Sequence, residues 1–193
     1  MIIGLTGKSC AGKDTVAAML PSDSFVVIDV DALGHTALES NHEKLEEAFG
    51  PSIFKQDGSV DRKILGPMVF SDAEKLATLN DITHPWMKEE ALKEAKDAEK
   101  RGMIAVINAA LLESMGFVSY CDLVVFVTAP YEVREKRALL RDGITKEKFH
   151  AREESQKEIG RSLFDYGKEV ITIINDGDKD TISRQVSFLC AKI

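Results

Sequence analysis

The sequence predicts an α/β fold of three layers, in which a five-stranded parallel sheet is flanked by helices. Five short apolar runs lack the alternation of apolar and polar residues that marks a half-exposed strand, as expected for strands buried on both faces. Helical sequence follows the strands, and this alternation favours a parallel sheet with helices on both of its faces. The predicted strands are 1–6, 25–30, 103–108, 123–128 and 170–175.

Proline and glycine mark the ends of several predicted helices, with proline before the start and glycine after the end. Two helices follow the fourth strand, and Thr145 is the predicted N-cap of the second. The region 41–101 has no convincing strand, and we interpret it as a helical insertion between the second and third strands. The predicted helices are 13–20, 41–49, 86–101, 131–141 and 146–158.

Composition narrows the possible classes of function. The chain has 25 basic and 32 acidic residues, a formal net charge of −7, which argues against non-specific binding to nucleic acid or to anionic membranes. No run reaches the roughly 18 apolar residues of a membrane span. Three cysteines without a C-x-x-C spacing indicate a reducing compartment. We therefore expect a soluble cytoplasmic protein with no nucleic-acid partner, no membrane partner and no zinc site.

A glycine-rich loop is the clearest chemical signal in the chain. Gly7 and Gly12 bracket four residues and are followed by Lys13, after an apolar strand and before a helix, which is the context of a P-loop. In such a loop backbone N–H groups converge on phosphate oxygens, and the lysine supplies a full charge at the β- and γ-phosphates. The sequence therefore predicts a phosphate-binding loop; the alternative is a plain glycine-rich turn between a strand and a helix.

Asp14 stands where the P-loop pattern has a serine or threonine, whose hydroxyl binds Mg²⁺. A carboxylate is also a hard oxygen donor and could bind Mg²⁺ directly or through water. Alternatively, Asp14 is an acidic residue of the kind favoured in a first helical turn, with Thr15 beside it. Both interpretations stay open, and Asp14 and Thr15 are the candidate metal ligands.

Two carboxylates close the second predicted strand. Asp29 and Asp31 are two residues apart, and positions i and i+2 of a strand point to the same side. Ligands of open α/β sheets bind at the carboxyl ends of the strands. A carboxylate there, near a P-loop, suits a base that accepts a proton from an attacking hydroxyl. The competing interpretation is that Asp31 caps a helix that begins at Ala32.

Further motifs are distributed along nearly the whole chain. They are the opening segment 3–17, Val27-Ile-Asp-Val-Asp31, the stretch 49–65, Val69-Phe70, His84-Pro85, Leu111-Leu112-Glu113, Arg137-x-x-x-Arg141, Arg152-x-x-x-Gln156 and Asn175-Asp-Gly177. Together they resemble the dephospho-CoA kinase family of P-loop kinases. In that family the second aspartate of the V-I-D-A-D segment is assigned as the catalytic base, and the resemblance gives this role to Asp31.

The resemblance implies a P-loop NTPase fold and transfer of the γ-phosphoryl group of ATP to the 3′-hydroxyl of dephospho-CoA, giving CoA and ADP, with Mg²⁺ as cofactor. It implies that Lys13 and the loop amides hold the phosphates, that Asp31 accepts the hydroxyl proton, and that Arg137 and Arg141 close on the triphosphate. The implied ATP-binding residues are Gly7, Lys8, Ser9, Cys10, Ala11, Gly12, Lys13, Asp14, Thr15, Asn175 and Gly177. The implied substrate-binding residues are Asp29, Asp31, His35, His84, Leu111 and Leu112.

The same resemblance divides a single domain of 193 residues into a core and two movable parts. The core covers about 1–40, 102–136 and 168–193, the helical substrate-binding insertion about 41–101, and the lid about 137–167. Plain structural interpretations stand beside these roles. His84 before a proline suits a turn or a helix start, and Arg137 and Arg141 suit a solvated helix face.

Several residues depart from the pattern of the family. They are Lys8 and Cys10 at glycine positions, Asp14 at a serine, His35 at an arginine, and Asn108 or Ile107, depending on register, at an acidic residue. Two alternative functions follow from them: another small-molecule P-loop kinase, acting on a nucleoside or nucleotide, and a catalytically silent nucleotide-binding homologue.

Overall fold

Five strands form one parallel sheet in the computed structural model, which describes residues 1–193. This confirms the predicted fold class. The strands are β1 (Ile2–Thr6), β2 (Phe25–Asp29), β3 (Ile104–Asn108), β4 (Leu123–Thr128) and β5 (Glu169–Ile174). Their order in the sheet is β2-β3-β1-β4-β5, so β1 lies at the centre and its carboxyl end is flanked by β3 and β4.

Eight α-helices accompany the sheet. They are α1 (Lys13–Met19), α2 (Val30–Ser40), α3 (His42–Phe49), α4 (Arg62–Phe70), α5 (Ala73–Lys100), α6 (Tyr131–Arg137), α7 (Lys146–Ser155) and α8 (Lys179–Lys192). Short 3₁₀ turns occupy Pro51–Ile53, Val118–Tyr120 and Leu163–Tyr166, and a π-helical turn occupies Ala138–Asp142. None of the helices has both the length and the apolar character needed to span a bilayer.

The chain divides into two compact units. The larger contains Met1–Asp29 and Glu94–Ile193, and therefore the whole sheet; the smaller, Val30–Lys93, is helical. The predicted limits of the substrate-binding insertion, 41–101, and of the lid, 137–167, stay predictions about the function of those segments.

The core of the larger unit surrounds β1. Ile3 and Leu5 are each 1% exposed and pack in one cluster with Val125 and Val127 of β4 and Val16 of α1. Burial of each such side chain stabilises the fold by about 1.5–3 kcal/mol. This packing fixes the end of β1, and with it the start of the glycine-rich loop.

Helix α5 begins earlier than predicted. The sequence predicts that Pro85 precedes a helix over 86–101, but Pro85 lies inside α5, which starts at Ala73. Leu76, Leu79 and Ile82 of α5 pack against the core of the smaller unit. We infer that this burial offsets the roughly 3 kcal/mol cost of an internal proline.

The predicted helix over 131–141 is also divided. It consists of α6 and the π-helical turn Ala138–Asp142, and it ends before Gly143, whose φ is +62°. Ala138 is buried together with Phe149 of α7. The predicted N-cap at Thr145 is confirmed, because its side chain accepts a hydrogen bond from the backbone N–H of Lys148 at 3.3 Å.

Candidate active site

The glycine-rich loop connects β1 to α1, and its two glycines are required by close contacts. A Cβ on Gly7 would lie 2.2 Å from the carbonyl oxygen of Val127, and a Cβ on Gly12 would lie 2.1 Å from Nδ2 of Asn175. Gly12 also has a φ of +99°, in the left-handed region that favours glycine. No side chain caps the N-terminus of α1, an arrangement in which backbone N–H groups serve anions.

A carboxamide from β3 connects the two residues that open α1. Lys13 Nζ donates to Oδ1 of Asn108 over 3.3 Å, and Asn108 Nδ2 donates to Oδ1 of Asp14 over 3.1 Å. Asn108 is the last residue of β3, and the strand register places it beside Leu5 and Asp29. The structure therefore connects the side chains of the sequence neighbours Lys13 and Asp14 through Asn108, which the sequence marked only as a departure.

Arg137 binds the loop rather than a carboxylate. Its Nη1 donates to the carbonyl oxygen of Cys10 at 3.1 Å, and its Nη2 donates to Oδ1 of Asn175 at 2.8 Å. Asn175 Nδ2 donates in turn to the carbonyl oxygen of Ala11 at 2.8 Å. Arg137 and the buried Asn175 thus hold the loop against the end of β5. These acceptors are neutral, so they do not cancel the charge of the guanidinium.

A cavity of about 470 Å³ lies beside these contacts. Gly12, Thr15 and Gly177, three of the residues predicted to bind ATP, line it. Lys179 and Ile182 of α8 line it as well, together with Leu140, Cys10, Arg137, Arg141 and Asn175. The sequence motifs do not include Leu140, Lys179 or Ile182, although Lys179 lies just after the Asn175-Asp-Gly177 motif.

Glu153 of α7 connects the loop to α6. Its carboxylate oxygens accept hydrogen bonds from Arg134 Nη1 and Lys8 Nζ, each at 2.5 Å. The hydrogen bond from Arg134, and to a smaller extent that from Lys8, holds the pKa of Glu153 below its usual value. One turn further on, Gln156 Oε1 accepts from the backbone N–H of Ser9 at 2.8 Å. Lys8, assigned to ATP by the resemblance, is therefore paired here with a carboxylate of the chain itself.

We expect Glu153→Gln to destabilise the fold by about 1–3 kcal/mol near pH 7, because Arg134 is buried and loses a charged partner. A lowered pKa in the folded state means that the carboxylate stabilises the fold above the ordinary pKa of 4.5, and that this contribution is lost as the pH falls below it. Urea unfolding near pH 7 and near pH 4 measures the effect, and the difference from wild type should shrink at the lower pH.

The neighbouring Glu154 supplies the matched control, since its side chain is exposed. Glu154→Gln should change the free energy of unfolding by less than about 0.5 kcal/mol at either pH. Equal losses in the two variants would contradict the role of Glu153, as would a loss that does not depend on pH.

Asp142 holds Arg141 in a similar way. Arg141 Nε donates to Oδ1 of Asp142, and Arg152 Nη1 donates to Oδ2, each at 2.7 Å. The bonds from Arg141 and then Arg152 lower the pKa of Asp142. The Arg141 side chain is 64% exposed, so its ion pair contributes only about 0–1 kcal/mol. Arg141 can therefore exchange this carboxylate for a phosphate group at small cost.

The smaller unit carries Asp31 and His35 on α2. The prediction that Asp29 and Asp31 share one side of a strand is wrong, because β2 ends at Asp29 and α2 begins at Val30. The alternative that Asp31 caps a helix from Ala32 is wrong for the same reason. Asp31 instead lies in the first turn of α2, where the helix dipole favours a carboxylate. His35 follows four residues later on the same face, and both side chains are exposed.

Three other predicted substrate contacts differ in accessibility. His84 lies inside α5 rather than at a helix start, and its partial burial lowers the pKa of the imidazole. His84 is therefore neutral at pH 7 and can serve a ligand by hydrogen bonding rather than by charge. Leu111 is 41% exposed, whereas Leu112 is fully buried. Of the two leucines, only Leu111 has a side chain that a ligand can reach in this structure.

Comparison with known proteins identifies the family. The family model described as dephospho-CoA kinase matches residues 1–171. This chain belongs to the dephospho-CoA kinase family. A dephospho-CoA kinase of Corynebacterium glutamicum strain ATCC 13032 is 34% identical over 197 residues, which cover 99% of this chain and 96% of the relative.

Solved structures agree with this membership. The structure of TT1252 from Thermus thermophilus superposes with a TM-score of 0.81 at 30% identity, and the match covers 100% of this chain and 97% of that one. A dephospho-CoA kinase from Campylobacter jejuni matches with a TM-score of 0.67 at 26% identity, over 99% of this chain and 96% of that one. Members of the dephospho-CoA kinase family are kinases, so ATP use follows for this chain.

Proposed function

We propose that this chain transfers the γ-phosphoryl group of ATP to the 3′-hydroxyl of dephospho-CoA, giving CoA and ADP. The observation that carries the proposal is the family match, which runs through the glycine-rich loop and the whole of the smaller unit. The hydrogen-bonded set of Lys13, Asn108 and Asp14 supports it, because phosphoryl transfer depends on positioning and on charge stabilisation around the phosphates.

Magnesium fits the residues at the start of α1. The structure has no group of three His, Cys, Asp or Glu side chains that could hold a metal ion. A nucleotide-bound Mg²⁺ needs no such group, because one or two carboxylates, phosphate oxygens and water complete its shell. The Asp14 carboxylate is connected to the ammonium group of Lys13 by the hydrogen bonds of Asn108. Thr15, in contrast, lines the cavity together with Asn175. We therefore assign Asp14 as the Mg²⁺ ligand and Thr15 to the nucleotide. When bound, the ion supplies charge neutralisation at the β- and γ-oxygens.

The residues of the larger unit then take distinct roles toward ATP. Lys13 and the loop N–H groups hold the β- and γ-phosphates. Arg137 holds the loop in shape through Cys10 and Asn175, and its charge adds to the field at the phosphates. Arg141 leaves Asp142 and contacts the triphosphate. The cavity beside Gly177 accepts the base and ribose, with Leu140 and Ile182 supplying apolar surface.

The proposed base and two further proposed contacts to the acceptor belong to the smaller unit. Asp31 accepts the proton of the 3′-hydroxyl as it attacks, and its exposed position in the first turn of α2 leaves it accessible to solvent and ligand. His35, on the same face of α2, and the neutral His84 offer hydrogen bonds to the acceptor. Asp29 and Leu111 are further proposed contacts to dephospho-CoA.

An assay of acceptors tests the proposal. The purified protein is mixed with ATP and Mg²⁺, and ADP release is measured with dephospho-CoA, with nucleosides and with nucleoside monophosphates. We expect dephospho-CoA to give the highest kcat/KM and a product with one phosphate added at the 3′-oxygen, identified by ³¹P NMR. Faster turnover of a nucleotide would overturn the proposal. Absence of product with dephospho-CoA, despite ATP binding, would identify a catalytically silent homologue.

A further inference from the structure

The side chain of Asn108 is buried between two groups of opposite charge. It is 3% exposed, and it contacts a cation and an anion that are 95 and 94 residues away in the sequence. Its Oδ1 accepts from the ammonium of Lys13, and its Nδ2 donates to the carboxylate of Asp14. A carboxamide has both an acceptor and a donor end, so one side chain satisfies both partners.

A carboxylate could not replace this amide while Asp14 is present. It would accept from Lys13, but it has no hydrogen to donate to Asp14, and the two negative groups would lie about 3 Å apart. Like charges at such a distance disfavour ionisation of both groups. Neutrality at position 108 therefore depends on the acid at position 14.

Magnesium sites of P-loop enzymes generally combine a hydroxyl after the loop lysine with a carboxylate supplied by a separate motif. In this chain the charged and the neutral side chain are in the opposite places, at two positions that contact each other. The carboxylate follows Lys13, and a neutral amide ends β3, the strand that pairs with β1 beside the loop. The number of negative charges next to Lys13 is unchanged by such an exchange.

We propose that this chain carries its Mg²⁺-binding carboxylate in the first turn of α1 instead of at the end of β3, an exchange of positions that makes Asn108 a positioning residue, which orients Asp14 and Lys13 toward Mg²⁺ and the phosphates of ATP. The inference rests on the proposed function as far as ATP is the ligand. It adds that positions 14 and 108 act as one unit, in which one residue carries a negative charge and the other is neutral.

The exchange is tested by nucleotide binding, without the acceptor substrate. Calorimetry gives the Kd of ATP with Mg²⁺ and with EDTA for wild type, Asp14→Ser, Asn108→Asp and the double variant. In Asp14→Ser the gain in ATP affinity on adding Mg²⁺ should fall about tenfold, because a neutral hydroxyl replaces the charged ligand of the ion. In Asn108→Asp the affinity without Mg²⁺ should fall about tenfold, because a second carboxylate repels the phosphates.

The double variant is decisive, since it restores a single carboxylate at the other position. The gain in ATP affinity of the double variant on adding Mg²⁺ should return to within about threefold of the wild-type gain. The effects of the two single substitutions on ATP affinity are then not additive. Additive effects would overturn the proposal, and so would an Asn108→Asp variant that binds ATP like wild type. If Asn108→Asp is too unstable to assay, the comparison of Asp14→Ser with the double variant decides the same question.

Two controls separate positioning from general damage. Asn80→Asp makes the same chemical change on α5 and should leave both Kd values unchanged. Urea unfolding of every variant shows whether Asn108 only stabilises the strand end; in that case the double variant would be destabilised without recovering its response to Mg²⁺. Failure of the proposed function is a different result: wild type would not bind ATP, or would bind it and not phosphorylate dephospho-CoA.

Discussion

Replacing Asp31 by Asn should lower kcat by about two to four orders of magnitude while the affinity for ATP with Mg²⁺ survives. The variant keeps the size of the side chain and its place in the first turn of α2, but an amide cannot accept the proton of the attacking hydroxyl. Because the loop and the cavity belong to the larger unit, nucleotide binding does not require this carboxylate. Steady-state kinetics with dephospho-CoA, combined with calorimetric titration of ATP, gives both quantities.

Glu39→Gln is the control for this prediction, since Glu39 is an exposed acid on the same helix. It should leave kcat within about twofold of wild type, as expected for a surface substitution outside the site. Turnover of Asp31→Asn at the wild-type rate would refute the assignment of the base. An equal loss of kcat in both variants would point to the charge of α2 as a whole rather than to Asp31.

The sequence predicted those parts of the fold and the site that depend on residues close together in the chain. Gly7, Gly12 and Lys13 define the loop by their spacing, and the buried inner strands follow from apolar runs such as 123–128. The prediction of burial on both faces is wrong for the edge strands β2 and β5, which are partly exposed. The turn at Gly143 and the cap at Thr145 are local as well. Each of these features is determined by backbone conformation or by burial of a contiguous segment.

Errors arose where packing outweighed a local signal. Pro85 predicts a helix start, but the burial of Leu76, Leu79 and Ile82 in the smaller unit keeps the chain helical through it. The spacing of Asp29 and Asp31 predicts two carboxylates on one side of a strand end, but the chain changes from β2 to α2 after Asp29, which places Asp31 in the first turn of a helix. A proline or a short apolar run favours one local conformation, but packing against distant residues can override that local preference.

The partners of charged side chains could not be predicted, because they come from distant parts of the chain. Lys8 meets Glu153 across 145 residues, and Arg137 meets the carbonyl oxygen of Cys10 across 127. Arginine on a helix has the same sequence pattern whether it binds a phosphate, a carboxylate or a carbonyl group. The double contact of Asn108 belongs to the same class, since only the pairing of β1 with β3 brings it to Lys13.

Replacing Gly12 by Ala should weaken ATP binding by at least about a hundredfold. The new methyl group would lie 2.1 Å from Nδ2 of Asn175, a distance that forces one of the two groups to move. The Asn175 side chain donates a hydrogen bond to the carbonyl oxygen of Ala11 and accepts one from Arg137. Displacement of Asn175 therefore breaks the contacts that shape the loop. When the loop changes shape, its backbone N–H groups no longer point at the phosphates of ATP. Each charge-assisted hydrogen bond that is lost weakens binding by about 1.5–3 kcal/mol.

Gly102→Ala separates this effect from backbone strain. Gly102 also has a positive φ, +72°, but nothing lies within 4 Å of a Cβ at that position. Both substitutions should cost roughly 1–2 kcal/mol of stability for the left-handed backbone. Only Gly12→Ala should lose nucleotide affinity, whereas Gly102→Ala should bind ATP within about twofold of wild type. If the two variants bind ATP equally well, the contact between Asn175 and the loop does not shape the nucleotide site, and the assignment of Asn175 and Arg137 as supports of the phosphate-binding loop is wrong.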